Sequence, residues 1–155
     1  MAKLSAALLV YRRKTALEVL LIHPGGPFWA RKDDGSWSIP KGEYVEPEEP
    51  LAAAYREFEE EVGITPPLGE AFDLGTARLR SGKVVTCFAV EGDLDLTEFA
   101  SNMFEMEWPR GSGVLREFPE ADRAEWFSFP QAQVKLSDGQ LPFLERLLAH
   151  TQQRT

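Results

Sequence analysis

Cysteine is almost missing: Cys87 stands alone among 155 residues. A single cysteine closes no internal disulfide and builds no cysteine-rich zinc site. The composition therefore points to a reducing cytoplasm rather than a stapled secreted scaffold. Histidine is also scarce, and His23 and His150 show no zinc or catalytic spacing. Long hydrophobic runs are absent. The longest near the start is Ala6 to Tyr11, far short of the roughly 20 residues of a spanning helix. Arg12, Arg13 and Lys14 follow that run, whereas a signal peptide carries its charges in front. A buried strand is expected there, with no export and no membrane span. No internal repeat, low-complexity tract or linker interrupts the chain. Apolar residues at 43% and charged residues at 27% exclude collagen-like and disordered classes. The length suits one domain with a real core, spanning 1–155.

Positive charge is in short supply. Seventeen basic residues face 25 acidic ones, for a net charge of −8. Eight acids and one base, Arg56, lie between Gly42 and Ile64, so that window alone carries −7. Such a concentrated patch does not hold duplex nucleic acid by neutralising phosphates. It repels anions or holds cations.

The rest of the pattern is alternating. Residues 4–12 and 17–23 read as strands, the second nearly continuously apolar, as a strand buried on both faces would be. Residues 28–38 read as a loop exposing Phe28 and Trp29 beside Arg31 and Lys32, a composition suited to recognition. Trp37 to Ile39 reads as a short strand. Leu51 to Val62 reads as a helix, with Leu51, Ala54, Tyr55, Phe58 and Val62 on one face. Pro50 suits its first turn and Gly63 its C-cap. Residues 70–80 and 83–91 read as a hairpin turning at Ser81 and Gly82. The stretch from Glu91 to Pro119 has little pattern. A last strand over 123–127 and helices over 130–136 and 138–150 complete an α/β or α+β layered reading.

On the central helix, Glu57, Glu60 and Glu61 are spaced i, i+3, i+4 and share a face. Three carboxylates that close repel unless a cation sits among them. Their hard oxygens suit Mg²⁺ or Mn²⁺, and Mg²⁺ commonly bridges carboxylates to substrate phosphates. Alone, a glutamate-rich face is usually a solvated surface. The surrounding residues change that.

Gly42, Glu48, Arg56, Glu57, Phe58, Glu60, Glu61, Gly63 and Ile64 fill every specified position of a pattern that resembles the Nudix hydrolase signature, over 42–64. Seven of these positions admit one residue type, so a chance match is on the order of 10⁻⁸ per start. The approach Trp37-Ser38-Ile39-Pro40-Lys41-Gly42 and the late run Asp122 to Phe127 look like family features too. The run Trp29-Ala30-Arg31-Lys32-Asp33 resembles a bacterial subfamily of predicted nucleotide pyrophosphohydrolases.

The resemblance implies an α/β/α sandwich with a mixed β-sheet. It implies water attack on phosphorus in a nucleoside diphosphate linked to a further group, assisted by Mg²⁺ or Mn²⁺. A nucleoside triphosphate or a dinucleoside polyphosphate is the expected substrate. About sixteen residues past the box, around Leu79 to Gly82, neither the proline that points to ADP-ribose nor the tyrosine that points to diadenosine polyphosphates is present, whereas the Trp-x-x-Pro-Lys-Gly approach resembles dinucleoside polyphosphate hydrolases. Carried over by position, Glu57, Glu60 and Glu61 bind metal or act as base, and Arg56 orients a box glutamate. Glu48 supports the site from outside or ligates the metal weakly. Gly42 and the Lys41 carbonyl lie close to the metal. Glu117 and Glu120, ahead of Glu105 and Glu107, are candidates for a further acidic residue from a distant loop. Trp29, Arg31, Lys32 and the Lys41 side chain are candidates for substrate contact. Arg78, Arg80 and Lys83 read as a basic surface cluster, His23 and Cys87 as structural, and Trp37 as core. The expected partner is a small nucleotide or pyrophosphate, in the cytoplasm, without duplex nucleic acid or membrane. The family also admits a homodimer. The alternative is a non-catalytic Nudix-fold module that binds nucleotide for regulation.

Overall fold

A computed structural model describes residues 3–152. The apolar run near the start becomes β1 (Leu4–Arg13), which turns into β2 (Leu17–Pro24). Both are buried along most of their length, as continuous apolar strands covered on two faces should be. A short β3 (Lys41–Tyr44) leads into the central helix α1 (Pro50–Val62). Then come β4 (Phe72–Arg78), β5 (Val84–Glu91), β6 (Met103–Glu107), β7 (Leu115–Pro119) and β8 (Ala121–Ser128). Two helices close the chain, α2 (Phe129–Lys135) and α3 (Leu141–Gln152).

The main sheet runs β4-β5-β1-β2-β8, with β3 also paired to β1. It is mixed: β1 and β5 are parallel, and the other pairs are antiparallel. Alternate residues of β1 feed two cores. Ala6, Leu8 and Val10 pack with Ala53, Ala54, Phe58 and Val62 of α1. Ala7, Leu9 and Tyr11 pack with Trp37, Ala132, Phe143, Leu144 and Leu147 on the opposite side. The result is the expected three-layer α/β/α sandwich. Among the described residues, no helix is long and apolar enough to cross a membrane.

Two local expectations are corrected. Residues 37–39 do not form a strand. Trp37 and Ser38 make isolated bridges to Leu136 and Ile22, and the ladder to β1 begins only at Lys41. Bound on both sides, this segment is a spacer between β1 and β2. The patternless stretch holds a separate two-stranded sheet, β6 with β7. Its Met103 and Leu115 are exposed, and the alternation of apolar and polar residues is confined to the short run Phe104 to Glu107.

Candidate active site

Helix α1 ends at Gly63, whose φ of 74° is the left-handed cap that glycine favours; its N–H closes on the Glu59 carbonyl at 2.8 Å. The helix turns Ala53, Ala54, Glu57, Phe58 and Val62 inward. Glu57 is thus a carboxylate on the apolar face, only 9% exposed. It fits because β3 has no side chain opposite it: a Cβ at Gly42 would collide with the Glu57 carboxylate. Burial pushes the Glu57 carboxyl above its usual range, and Arg56 opposes that shift.

Arg56 knits the box together. Its Nε and Nη2 donate to the two carboxylate oxygens of Glu48 at 2.8 and 2.9 Å. Its Nη1 donates to Glu57 at 2.8 Å and to Glu60 at 3.2 Å. The Glu48 bond chiefly holds Arg56 protonated, and Arg56 holds Glu48 below the usual carboxylate range. Glu61 accepts from the Lys41 backbone N–H at 3.2 Å. Burial pushes its carboxyl up to about 8. Burial also lowers the Lys41 ammonium from its ordinary value.

A fourth carboxylate reaches the box through backbone bonds. Asn102 N–H donates to the Glu60 carbonyl at 2.9 Å, and Glu120 N–H donates to the Asn102 carbonyl at 2.8 Å. Glu120 therefore faces Glu60, and burial with Glu60's charge raises its carboxyl above the usual range. Glu57, Glu60, Glu61 and Glu120 line one hollow of about 400 Å³, together with Ser5, Lys41, Gly42, Glu43 and Lys83. A neighbouring hollow of about 480 Å³ shares Lys41, Glu61, Lys83 and Glu120 with it, and adds Trp29, Ser38 and Gln140.

The box pattern, the carboxylate hollow and the three-layer fold coincide with a known family. The NUDIX domain model matches residues 1–147. The chain belongs to the NUDIX family.

Similarity outside that match is partial or structural. An RNA pyrophosphohydrolase of Francisella philomiragia is 46% identical over 57 residues, which are 36% of this chain and 36% of that protein. The matched stretch thus spans about a third of the length of this curated relative. The NUDIX domain of Shewanella oneidensis NrtR, solved with ADP ribose, superposes with a TM-score of 0.66 at 16% identity, over 97% of this chain and 89% of that one. A C. elegans Ap4A hydrolase, solved as a binary complex, gives 0.63 at 19% identity, over 97% and 99%. These structures share the fold.

Within the Nudix domain, the candidates separate. Glu57, Glu60, Glu61, Glu120, Gly42 and Lys41 come together. Glu117 does not: it is exposed on β7 opposite Glu105. Trp29 lines the neighbouring hollow. Lys32 lies over the Phe28 ring at 3.6 Å and the Trp29 ring at 5.0 Å, so it backs Trp29 rather than the hollow. Arg31 is exposed and lines neither hollow. Trp37 is core, and Cys87 is buried. His23 is buried between Asp122 and the Lys32 carbonyl, at 2.8 and 2.6 Å.

Lys83 is the main revision. It reads as a surface lysine, yet it lines both hollows and pairs with Glu43 at 2.7 Å. Its position depends on β5 lying parallel to β1, a pairing about 80 residues apart that no local signal encodes. Ser5, Glu43 and Gln140 also carry no sequence signal: the pairing of β1 with β3 sets Glu43 opposite Ser5, and Gln140 joins the second hollow through its bonds to the Ile39 N–H and Ser38.

The donor chemistry fits a divalent cation: four hard carboxylates border one open hollow, and nearby charge leaves burial of Glu57 and Glu61 uncompensated. Among the described residues, no group of three Asp, Glu, His or Cys side chains is already drawn together as a ligand set. Arg56 occupies Glu57 and Glu60 instead, and like charges otherwise spread apart.

Proposed function

We propose that residues 1–155 act as one Nudix domain that hydrolyses a phosphoanhydride bond in a nucleoside diphosphate linked to a further group, with Mg²⁺ or Mn²⁺ as cofactor. A nucleoside triphosphate and a dinucleoside polyphosphate are the two substrate classes. The observation that carries this reading is the convergence of Glu57, Glu60, Glu61 and Glu120 on one hollow, with Arg56 fixing Glu57. The names of the similar proteins, RNA pyrophosphohydrolase and Ap4A hydrolase, point the same way.

Glu57, Glu60, Glu61 and the Lys41 carbonyl would hold the cation. When bound, it supplies the positive charge that offsets phosphate repulsion of a nucleophile and lowers the pKa of water. The chain's residues do the rest. Arg56 keeps Glu57 from turning away, and Glu48 keeps Arg56 in line. A carboxylate of the set, with Glu120 the one outside the helix, takes the proton of the attacking water. The water oxygen bonds to phosphorus as the bridging P–O bond breaks, and the leaving phosphate carries away the electron pair. Trp29, in the adjoining hollow, offers a ring on which a nucleobase stacks.

The test is a panel of nucleoside triphosphates, 8-oxo forms, diadenosine polyphosphates, ADP-ribose and NADH, incubated with Mg²⁺ or Mn²⁺ and resolved chromatographically. Cleavage that a chelator and Glu60→Gln both abolish supports the reading. Binding of nucleotide without cleavage of any member contradicts it.

A further inference from the structure

His23, near the end of β2, is fully buried, yet both of its ring nitrogens face acceptors. Nδ1 lies 2.8 Å from an Asp122 carboxylate oxygen, and Nε2 lies 2.6 Å from the Lys32 carbonyl oxygen. A neutral imidazole carries one N–H and satisfies one of the two; the imidazolium carries two and satisfies both. Trp37 packs against the ring, with centroids 5.2 Å apart. Arg123 of β8 stands opposite His23 in the sheet and lies over the same indole at 4.9 Å. Asp33 accepts from the Trp37 indole N–H and is held by Lys135 of α2.

The ring grips the loop that presents Trp29. Lys32 N–H donates to the Trp29 carbonyl at 3.0 Å, and Trp29 N–H donates to the Gly26 carbonyl at 3.3 Å. The loop starts at Gly25, whose N–H donates to the Glu120 carbonyl at 2.9 Å. Residues 25–32 are thus pinned at one end to Glu120 and at the other to His23. Asp122, which anchors His23, follows Glu120 by two residues, so both pins stand on the same short segment.

We propose that the His23 imidazolium, anchored on Asp122, is a positioning residue that sets Trp29 against the neighbouring hollow by holding the Lys32 carbonyl. This deepens the hydrolase reading and rests on it for the role of Trp29 as a nucleobase platform. When the ring loses its second proton, the remaining N–H stays with Asp122, whose charge makes it the stronger acceptor. The Lys32 carbonyl then meets a lone pair, and the turn carrying Trp29 is released.

The ring's state is read by ¹⁵N NMR of the full chain, which holds only two histidines; His150→Gln identifies the other signal. ADP with Mg²⁺ is the probe, titrated calorimetrically over a pH series alongside thermal melts. Wild-type affinity is expected to fall about tenfold as the ring passes from two N–H groups to one. Asp122→Asn is expected to flatten that fall, because its amide donates to Nδ1 and a neutral ring keeps its N–H for Lys32. The box carboxylates titrate in both proteins, so the ratio of the two affinities isolates the ring. His23→Phe should weaken ADP about tenfold, and adding Trp29→Ala should cost no more, because both changes act on one contact. If His23→Phe fails to fold, the NMR series and Asp122→Asn decide the question.

A ring with a single N–H while ADP binds at its tightest overturns the clamp. So do additive losses in the double variant. A His23→Phe protein that melts lower but binds ADP normally makes His23 structural and overturns the clamp, and nucleotide cleavage by that protein leaves the hydrolase reading standing. ADP binding that follows the ring's protonation, without cleavage of any nucleotide, supports the clamp and removes the hydrolase reading.

Discussion

Arg56 grips both carboxylate oxygens of Glu48, at 2.8 and 2.9 Å. Two parallel bonds fix the guanidinium plane as one bond would not, and the remaining nitrogen then meets Glu57 at 2.8 Å. Glu48 touches the reacting groups only through this arginine.

Glu48→Gln should therefore act on turnover rather than on folding. The pair is partly solvated, with side-chain exposures of 39% and 30%, so its loss should cost at most about 1 kcal/mol of stability. Mis-set Glu57 should lower kcat about tenfold. Arg56→Lys should fall further, since lysine cannot make the fork. Steady-state kinetics beside thermal melts check both.

Gly42→Ala tests the close approach of β3 to α1. The added methyl would meet the Glu57 carboxylate and drive it out of place. Activity should fall about a hundredfold, while circular dichroism shows a folded protein.

Addition of Mg²⁺ or Mn²⁺ should raise the melting temperature, because a ligand that binds only the folded state stabilises it by mass action. At a hundredfold excess over Kd, the rise should be about 5–10 °C. EDTA should reverse it. Glu57→Gln should shrink it, whereas Glu117→Gln, on exposed β7, should leave it intact.

The two aromatic-loop candidates should behave differently. Trp29 lines the neighbouring hollow, so Trp29→Ala should raise KM about tenfold by removing a stacking surface. Arg31 lies outside both hollows, and Arg31→Ala should leave KM within about twofold of wild type.

The legible parts of this site are the local ones. Arg56, Glu57, Glu60 and Glu61 lie on one helix, whose spacing sets their mutual approach, and Glu48 stands only two residues before its first turn. Strands β1 and β2 were legible because burial on both faces leaves a continuous apolar run, and β5 because its residues are β-branched and apolar. Glu120 was legible only by resemblance, as one of several loop glutamates. Its selection over Glu117 depends on the bonds through Asn102. Ser5 and Lys83 were illegible, because strand pairing across the sheet is what makes them neighbours. The β6–β7 pair was illegible because β6 alternates only from Phe104 to Glu107 and β7 begins with three exposed residues and shows no alternation.

The most direct measurement is cleavage in ¹⁸O-labelled water, with the products weighed by mass spectrometry. Hydrolysis at phosphorus in this hollow predicts one labelled oxygen in a single phosphate-bearing product, with unlabelled nucleoside, and no labelled product from Glu60→Gln or with EDTA. Label in a nucleoside, or equal labelled product from Glu60→Gln, would contradict hydrolysis at phosphorus by this carboxylate hollow.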